Sequence, residues 1–483
     1  MGGRVSVVVG LLASGLATAL VAPGCKGEDP VLSVDDASVG GDAGGTEASI
    51  AEGGDTDVRD AEVTTKPGDI DRSFANGPIR GPSGQPVPLK KAHAVAIDAK
   101  GRTYLAGAAD ACVIATPNPG SFLDFAVVRL APNGQVDTTY GTGGVACVDV
   151  GPKYDDDATA IAIDPFTGTA LVAGTSADPF AAVGDDGPRA AVVRLTETGA
   201  VHPAFNGGQP YRVASNLNVL ARPAGIAIVP GSTAFYVGGF SALPLDGSNG
   251  AWILSFRETG GLDSTFNTTG RLSFGSGLPA LAIAADPRGD VYAAGGSIRF
   301  VSWRYTAAGA EVAPWGTGPV AVDPGGESQG RAAVFSGDRL YVATTVNRAA
   351  SATIAPAAVV KHQLDAKVDT TFAATSSKPG VFLTDAVKWD VENQFSGLAV
   401  QADGKILLAG LFDADTATGS DLAVMRLMPD GSRDTGFGDN GIARTRLPGP
   451  ERMIGMALDM PRKQVVVLGL DATLTPVVYR FLL

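Results

Sequence analysis

The sequence predicts an all-β fold, a seven-bladed β-propeller built from repeats of about 60 residues. Three observations lead there. The first is composition: 64 Gly and 31 Pro in a chain of 483 residues that is 45% hydrophobic and 18% charged call for many turns between short buried strands. The second is a marker of acidic turn, aromatic and glycine, seen as "GDIDRSFANG" from Gly68, "GQVDTTYGTGG" from Gly134, "GGLDSTFNTTG" from Gly260 and "GSRDTGFGDNG" from Gly431. Its aromatic recurs seven times, at Phe74, Tyr140, Phe205, Phe266, Trp315, Phe372 and Phe437, with spacings between 49 and 66 residues. The third is that strand-like columns hold one register between the markers.

Those columns define the repeat. A short apolar strand comes first, as "AVAID" at 94–98, "AIAID" at 160–164 and "GIAIV" at 225–229. A turn follows, then a strand closing on glycine: "YLAG" at Gly107, "LVAG" at Gly174, "YVGG" at Gly239, "YAAG" at Gly295, "LLAG" at Gly410 and "VVLG" at Gly469, with Thr344 instead in repeat five. A further strand such as "FAVVRL" from Phe125 or "LAVMRL" from Leu422 leads into the marker. Units of three to four short strands cannot bury both faces alone, so neighbours stack, and a closed ring removes the exposed edges. The last unit lacks a marker while "DIDRSF" stands spare before the first, so joining the ends completes the seventh unit. The other reading, an open solenoid, would call for a polar capping repeat, and none is present.

The run "QADGKILLAG" at 401–410, followed by "DLAVMRLMPDGSRDTGFGDNG" from Asp421, resembles the bacterial delta-60 repeat family. The resemblance extends over residues 68–483 and implies a β-propeller. It implies no activity, because the fold hosts many functions.

Residues 1–24 read as a signal peptide, with Arg4 as the positive end and an apolar run at 5–22. That run, 18 residues long, also meets the length of a membrane-spanning helix, which is the alternative. "LVAPGC" resembles the lipobox of bacterial lipoproteins, with Cys25 as the lipidated residue; Ala22 and Pro23 depart from the usual pattern. Only Cys112 and Cys147 then remain. In an oxidising compartment they form an even pair, and both a disulfide and two separately buried thiols stand as readings. Residues 25–67 read as a disordered acidic tether, in which eleven acidic residues face three basic ones and bulky apolar residues are nearly absent. The net charge of -13 argues against nucleic acid as a partner.

In the marker, Asp71, Asp137, Asp263, Asp369 and Asp434 occupy equivalent places, where a carboxylate can accept backbone N–H bonds two residues on. The repetition favours turn staples over a ring of cation ligands, and His202 and Val312 interrupt the acidic column. Arg129, Arg194, Arg304, Lys361, Arg426 and Arg480 end the third strand, with Ser255 the exception. They read as ties between blades, a central anion site being the alternative. His93, His202 and His362 fall in different repeats and columns, and no metal, P-loop or nucleophile-elbow pattern is present. "YDDDA" at Tyr154, "GDDG" at Gly184 and "DADTATGSD" at Asp413 lack the spacing of a calcium loop and read as solvated turns. No metal and no cofactor is therefore expected. The long connections between the second and third strands should decorate one face of the ring, near Asp178, Asp185, Asp186, Asp246, Asp413 and Asp415.

The expected function is a non-enzymatic, monomeric lipoprotein of the cell envelope, at the outer membrane or cell surface, presenting a propeller to a protein or glycan ligand. Without lipidation of Cys25 it would be secreted. The alternative is an extracytoplasmic propeller enzyme, such as a quinone-dependent sugar dehydrogenase or a lyase.

Overall fold

The computed structural model describes residues 65–483 apart from 82–83, 111–121, 152–153, 178–187, 214–219, 243–249, 276, 297–298, 314, 316–319, 325–326, 348–353, 391–396, 416–418 and 447–450. The described strands form seven four-stranded antiparallel sheets, the blades of a propeller. In blade one the strands are Lys91–Ile97, Thr103–Asp110, Leu123–Leu130 and Val145–Val148, hydrogen-bonded in chain order. The first strands of successive blades, from Lys91–Ile97 through Asp155–Ile163, Leu220–Ile228, Ala280–Ala285, Glu327–Ser336 and Gly397–Val400 to Arg452–Asp459, pack against one another round a closed circle. They are the inner strands, and they surround a channel.

Blade seven is assembled from both ends of the chain. Arg452–Asp459, Gln464–Leu470 and Pro476–Leu482 supply three strands, and Gly77–Pro78 adds the fourth by pairing Gly77 with Val478 and Pro78 with Val477. The ring thus closes through the spare marker. Packing explains why no blade stands alone: one core cluster joins Tyr104, Phe125 and Val127 of blade one to Ile161, Val172 and Val193 of blade two. Each interface buries apolar side chains from both partners, at roughly 25 cal/mol for each Å² removed from water.

The markers fasten this ring. Backbone N–H groups of Ser73, Thr139, Thr265, Thr371 and Gly436 donate to Oδ1 of Asp71, Asp137, Asp263, Asp369 and Asp434, two residues earlier, at 2.9 to 3.2 Å. The third-strand cations complete the arrangement. Arg129 Nε donates to Asp137 Oδ2 at 2.8 Å, Arg426 Nε to Asp434 at 2.8 Å and Arg480 Nε to Asp71 at 2.9 Å. Each of these guanidiniums lies over its own marker ring, Tyr140, Phe437 or Phe74, at 4.4 to 4.5 Å from the centroid. Arg129 also donates to Glu197 O of blade two, and Arg480 to Pro132 O of blade one. Where the marker lacks its acid, another carboxylate serves: Arg194 meets Asp164 at 3.2 Å, and Arg304 Nε meets Asp290 at 3.0 Å. The column stands on the third strands and is bound up with these partners, away from the channel.

Backbone bonds repeat the linkage. The residue after the marker aromatic donates to a turn carbonyl of the next blade, as Ala75 to Asn133, Gly141 to Thr198, Asn206 to Thr259, Asn267 to Ala308, Ala373 to Asp430 and Gly438 to Pro67. Burial pushes the marker carboxyls up, but the hydroxyl, N–H and cation partners outweigh it and hold Asp71, Asp137, Asp263 and Asp434 below 3.8, and Asp369 at about 2. A folded pKa below the unfolded one contributes stability that is present above the unfolded value and lost as pH falls through the folded value. The melting temperature should therefore drop between about pH 4 and about pH 2. A thermal melt series over that range checks this, and a flat profile would contradict the role given to the markers.

Candidate functional site

Six of the seven inner strands carry a β-bulge at the same place. The unpaired residues are His93, Thr159, Ala224, Leu281, Arg331 and Ile454. The blade-six counterpart precedes Gly397 and lies outside the described residues. The cause sits on the second strand, in the glycine column. A Cβ at Gly107 would fall 1.8 Å from Lys91 O, at Gly174 2.1 Å from Asp157 O, at Gly239 2.1 Å from Arg222 O and at Gly295 1.9 Å from Pro279 O. The bulge drives the carbonyl two residues before it against the neighbouring strand, where glycine makes room in five of these six blades; in blade five Thr344 stands there, opposite Gly330.

Two rings of side chains follow, one at the bulges and one two residues earlier: Lys91, Asp157, Arg222, Pro279, Gln329 and Arg452. They stand near the start of the inner strands. Lys91 pairs with Ala108 and Asp110 with Leu123, so the second strand ends, and the connection to the third leaves, on this same face. In blade six Asp415 pairs with Gly419 at the equivalent end, with Asp413 beside Ser420. Asp178, Asp185, Asp186 and Asp246 lie outside the described residues, as do Cys25 and Cys112. Cys147 is disulfide-bonded to a residue outside them.

On one side of this channel mouth, His93 Nε2 lies 3.0 Å from Asp157 Oδ1 and 3.2 Å from its Oδ2, while Lys91 Nζ donates to Oδ2 at 3.0 Å. Burial pushes the Asp157 carboxyl up, yet His93 and Lys91 together hold it below the usual carboxylate range. Thr159 Oγ1 donates to Pro223 O at 3.1 Å, so both bulged side chains reach toward the next blade. Across the ring, Arg331 on blade five is buried, with 6% of its surface exposed. Its Nη2 bonds Gln329 Oε1, and its Nε has no partner. Among the described residues no carboxylate lies within ion-pair distance of Arg331, Arg222 or Arg452. Burial without a counter-charge pulls the Arg331 guanidinium down to about 9. Among the described residues, the two inner rings of this mouth carry Lys91, Arg222, Arg331 and Arg452 against Asp157, on a chain of net charge -13.

The other end of the channel differs. There Ile97, Ile163 and Ile228, with Asp98, Asp164 and the exposed Phe166, border a cavity of about 220 Å³. Asp98 is spent on Lys100 and Arg102, and Asp164 on Phe166, Thr167 and Arg194, so its polar groups are occupied internally. This cavity is lined mostly by apolar side chains; the groups able to orient a polar ligand stand at the opposite mouth.

The histidines do not meet. His202 lies in the blade-two marker, and His362 is fully buried at the end of the third strand of blade five between Phe300 and Trp315, where burial pulls it down to about 4. The "YDDDA" segment, read as a solvated turn, is corrected: it begins the inner strand Asp155–Ile163, and Asp156 is wholly buried. Strand alternation, not turn chemistry, governs it.

Two segments, residues 115–140 and 401–437, match the model of a family described as a β-propeller domain of unknown function, DUF5122. No curated protein matches the chain. Among solved structures, a GH43 endo-arabinanase from Bacillus licheniformis is similar at 13% identity, over 59% of this chain and 97% of that one, with a TM-score of 0.31. A sialidase from Trypanosoma rangeli is similar at 10% identity, over 87% and 59%, with a TM-score of 0.36. A PL25 ulvan lyase is similar at 11% identity, over 73% and 78%, with a TM-score of 0.37. The expectation of a non-enzymatic chain is corrected: the solved structures it is similar to are an endo-arabinanase, a sialidase and an ulvan lyase.

Gly174→Ala should lower stability by about 1–3 kcal/mol, the cost of forcing a side chain into a filled site. Gly261→Ala, with nothing within 4 Å of its added Cβ, should stay within about 0.5 kcal/mol of the parent. Urea unfolding of both variants checks the comparison, and equal effects would remove the packing account of the bulge.

Proposed function

We propose that this protein is an extracytoplasmic propeller that takes an acidic carbohydrate at the cationic mouth of its channel and carries there the groups for proton transfer. Arg331 is the observation that carries the reading. An unpaired buried guanidinium costs several kcal/mol, on the order of the penalty for any ion withdrawn from water, unless an anion joins it. A carboxylate suits its planar fork, and Arg222, Arg452 and Lys91 add long-range attraction. Gln329, bonded to Arg331, stands beside it at the rim. His93, oriented by Asp157, is the candidate base, and proton abstraction beside a uronate carboxylate is the chemistry of a lyase. A lipid on Cys25 and the acidic tether would hold the domain at the envelope.

Acidic oligosaccharides should raise the melting temperature and their neutral counterparts should not. Arg331→Met should abolish that shift and raise the melting temperature of the ligand-free protein, because it removes an uncompensated charge. Equal binding of neutral and acidic sugars would overturn the reading. His93→Ala should retain binding and lose the ultraviolet absorbance of an unsaturated product. Fatty-acid probe labelling that is unchanged in Cys25→Ala would remove the anchor.

A further inference from the structure

Three carboxylates converge at the seam between blades one and two. Asp124 lies near the start of the third strand of blade one, Asp149 directly follows its outer strand Val145–Val148, and Asp156 lies on the inner strand of blade two. One oxygen from each falls within 4.8 Å of the other two. Asp124 and Asp156 are buried and Asp149 is exposed. No ion is present.

A second observation distinguishes this cluster from an ordinary acidic surface. Asp156 is 0% exposed; its Oδ2 accepts the Val150 N–H at 2.7 Å, while its Oδ1 has no partner. A carboxylate withdrawn from water with a bare oxygen, beside two others, is destabilised as an anion, and a proton or a cation relieves it. Among the described residues neither Asp149 nor Asp156 has a Lys or Arg at ion-pair distance.

The supporting structure is already in place. Leu123 N donates to Asp155 Oδ1 at 2.9 Å, which ties the strand bearing Asp124 to the segment bearing Asp156. The Val150 N–H bond ties the segment bearing Asp149 to Asp156 itself. Cys147, two residues before Asp149, is disulfide-bonded. The three chain segments that hold the carboxylates are thus tied to one another, by the Leu123 bond outside the cluster and by the Val150 bond to Asp156.

We propose that Asp124, Asp149 and Asp156 form a calcium site that latches blade one to blade two. The donor set is all oxygen, which suits a hard cation and not zinc, whose sites favour Cys and His. Calcium binds oxygen at about 2.3–2.6 Å, so ligands on opposite sides stand about 5 Å apart, and the three oxygens lie close enough together to share one ion. Magnesium demands near-ideal octahedral geometry and gives up its waters reluctantly, so a cluster of three carboxylates from three segments suits it less. Three carboxylates leave coordination positions for water on the exposed side of Asp149.

The test uses the full-length protein after chelator treatment and dialysis, titrated with calcium chloride by calorimetry and followed by thermal melts. The expected result is one saturable site, a higher melting temperature with calcium than with equimolar magnesium, and at least tenfold weaker binding in Asp149→Asn. Asp149 is exposed, so this variant should keep the parent melting temperature without calcium. The acidic segment at 25–67 can also attract calcium, but binding there would be indifferent to Asp149. Absence of a saturable site in the folded protein, or binding unchanged in Asp149→Asn, would overturn the proposal. So would equal stabilisation by both cations.

Discussion

The bond between Asp71 and Arg480 is the contact on which the ring depends. It joins a residue near the start of the folded domain to one near its end, with Nη2 at 2.8 Å from Oδ2 and the Asp71 N–H returning to Arg480 O at 2.8 Å. Gln464 adds a further donor to the same carboxylate at 2.8 Å. An open row of blades would leave two apolar faces in water, one at each end. Closure buries both, so the seventh interface is conditional on a junction in which the ladder contributes Gly77 and Pro78, with one further bridge from Ile70 to Phe481. Much of that junction is side-chain chemistry, charge-assisted and largely withdrawn from water.

The same grouping of acid, cation and aromatic recurs with substitutions that show which part matters. Blade two has His202 and blade four Val312 in place of the acid, yet Arg194 and Arg304 still find a carboxylate, Asp164 or Asp290, from a turn nearer the channel. What is retained is the neutralised guanidinium, not the position of its partner. A buried cation must be satisfied from somewhere, and the fold tolerates more than one source. Arg331 stands outside this rule, which is why it carries a functional argument when the third-strand arginines do not.

The fold was legible in the sequence because its determinants repeat. Marker aromatics, glycine column and spare terminal marker recur often enough that topology and ring closure follow from their order. The mouth was not legible for the converse reason. His93, Thr159, Ala224, Leu281, Arg331 and Ile454 share a backbone position and no chemistry, and the bulge that groups them leaves no residue type in common. Its trace is on the neighbouring strand, in glycines read as strand ends and not as the response to an inserted carbonyl. The carboxylate cluster was missed because three consecutive aspartates suggest a turn. Along Asp155, Asp156 and Asp157 burial alternates, so that adjacent residues serve Leu123, Val150 and His93 in turn. A period of two was present in the residues that follow and could have been extended back by one step.

The closing blade also has a mechanical meaning. The chain preceding Lys66 joins the propeller immediately before the segment that seals it, so tension along that chain arrives first at Pro67 and Asp71. Pro67 O accepts from Gly438 in blade six, and Asp71 is held by Arg480 and Gln464 in blade seven. A pull is therefore shared between two blades before the short strand Gly77–Pro78 feels it. Failure under load would begin by extracting the marker, not by peeling the sheet, and the six blades whose strands are continuous in the chain would open only after the seventh had been lost.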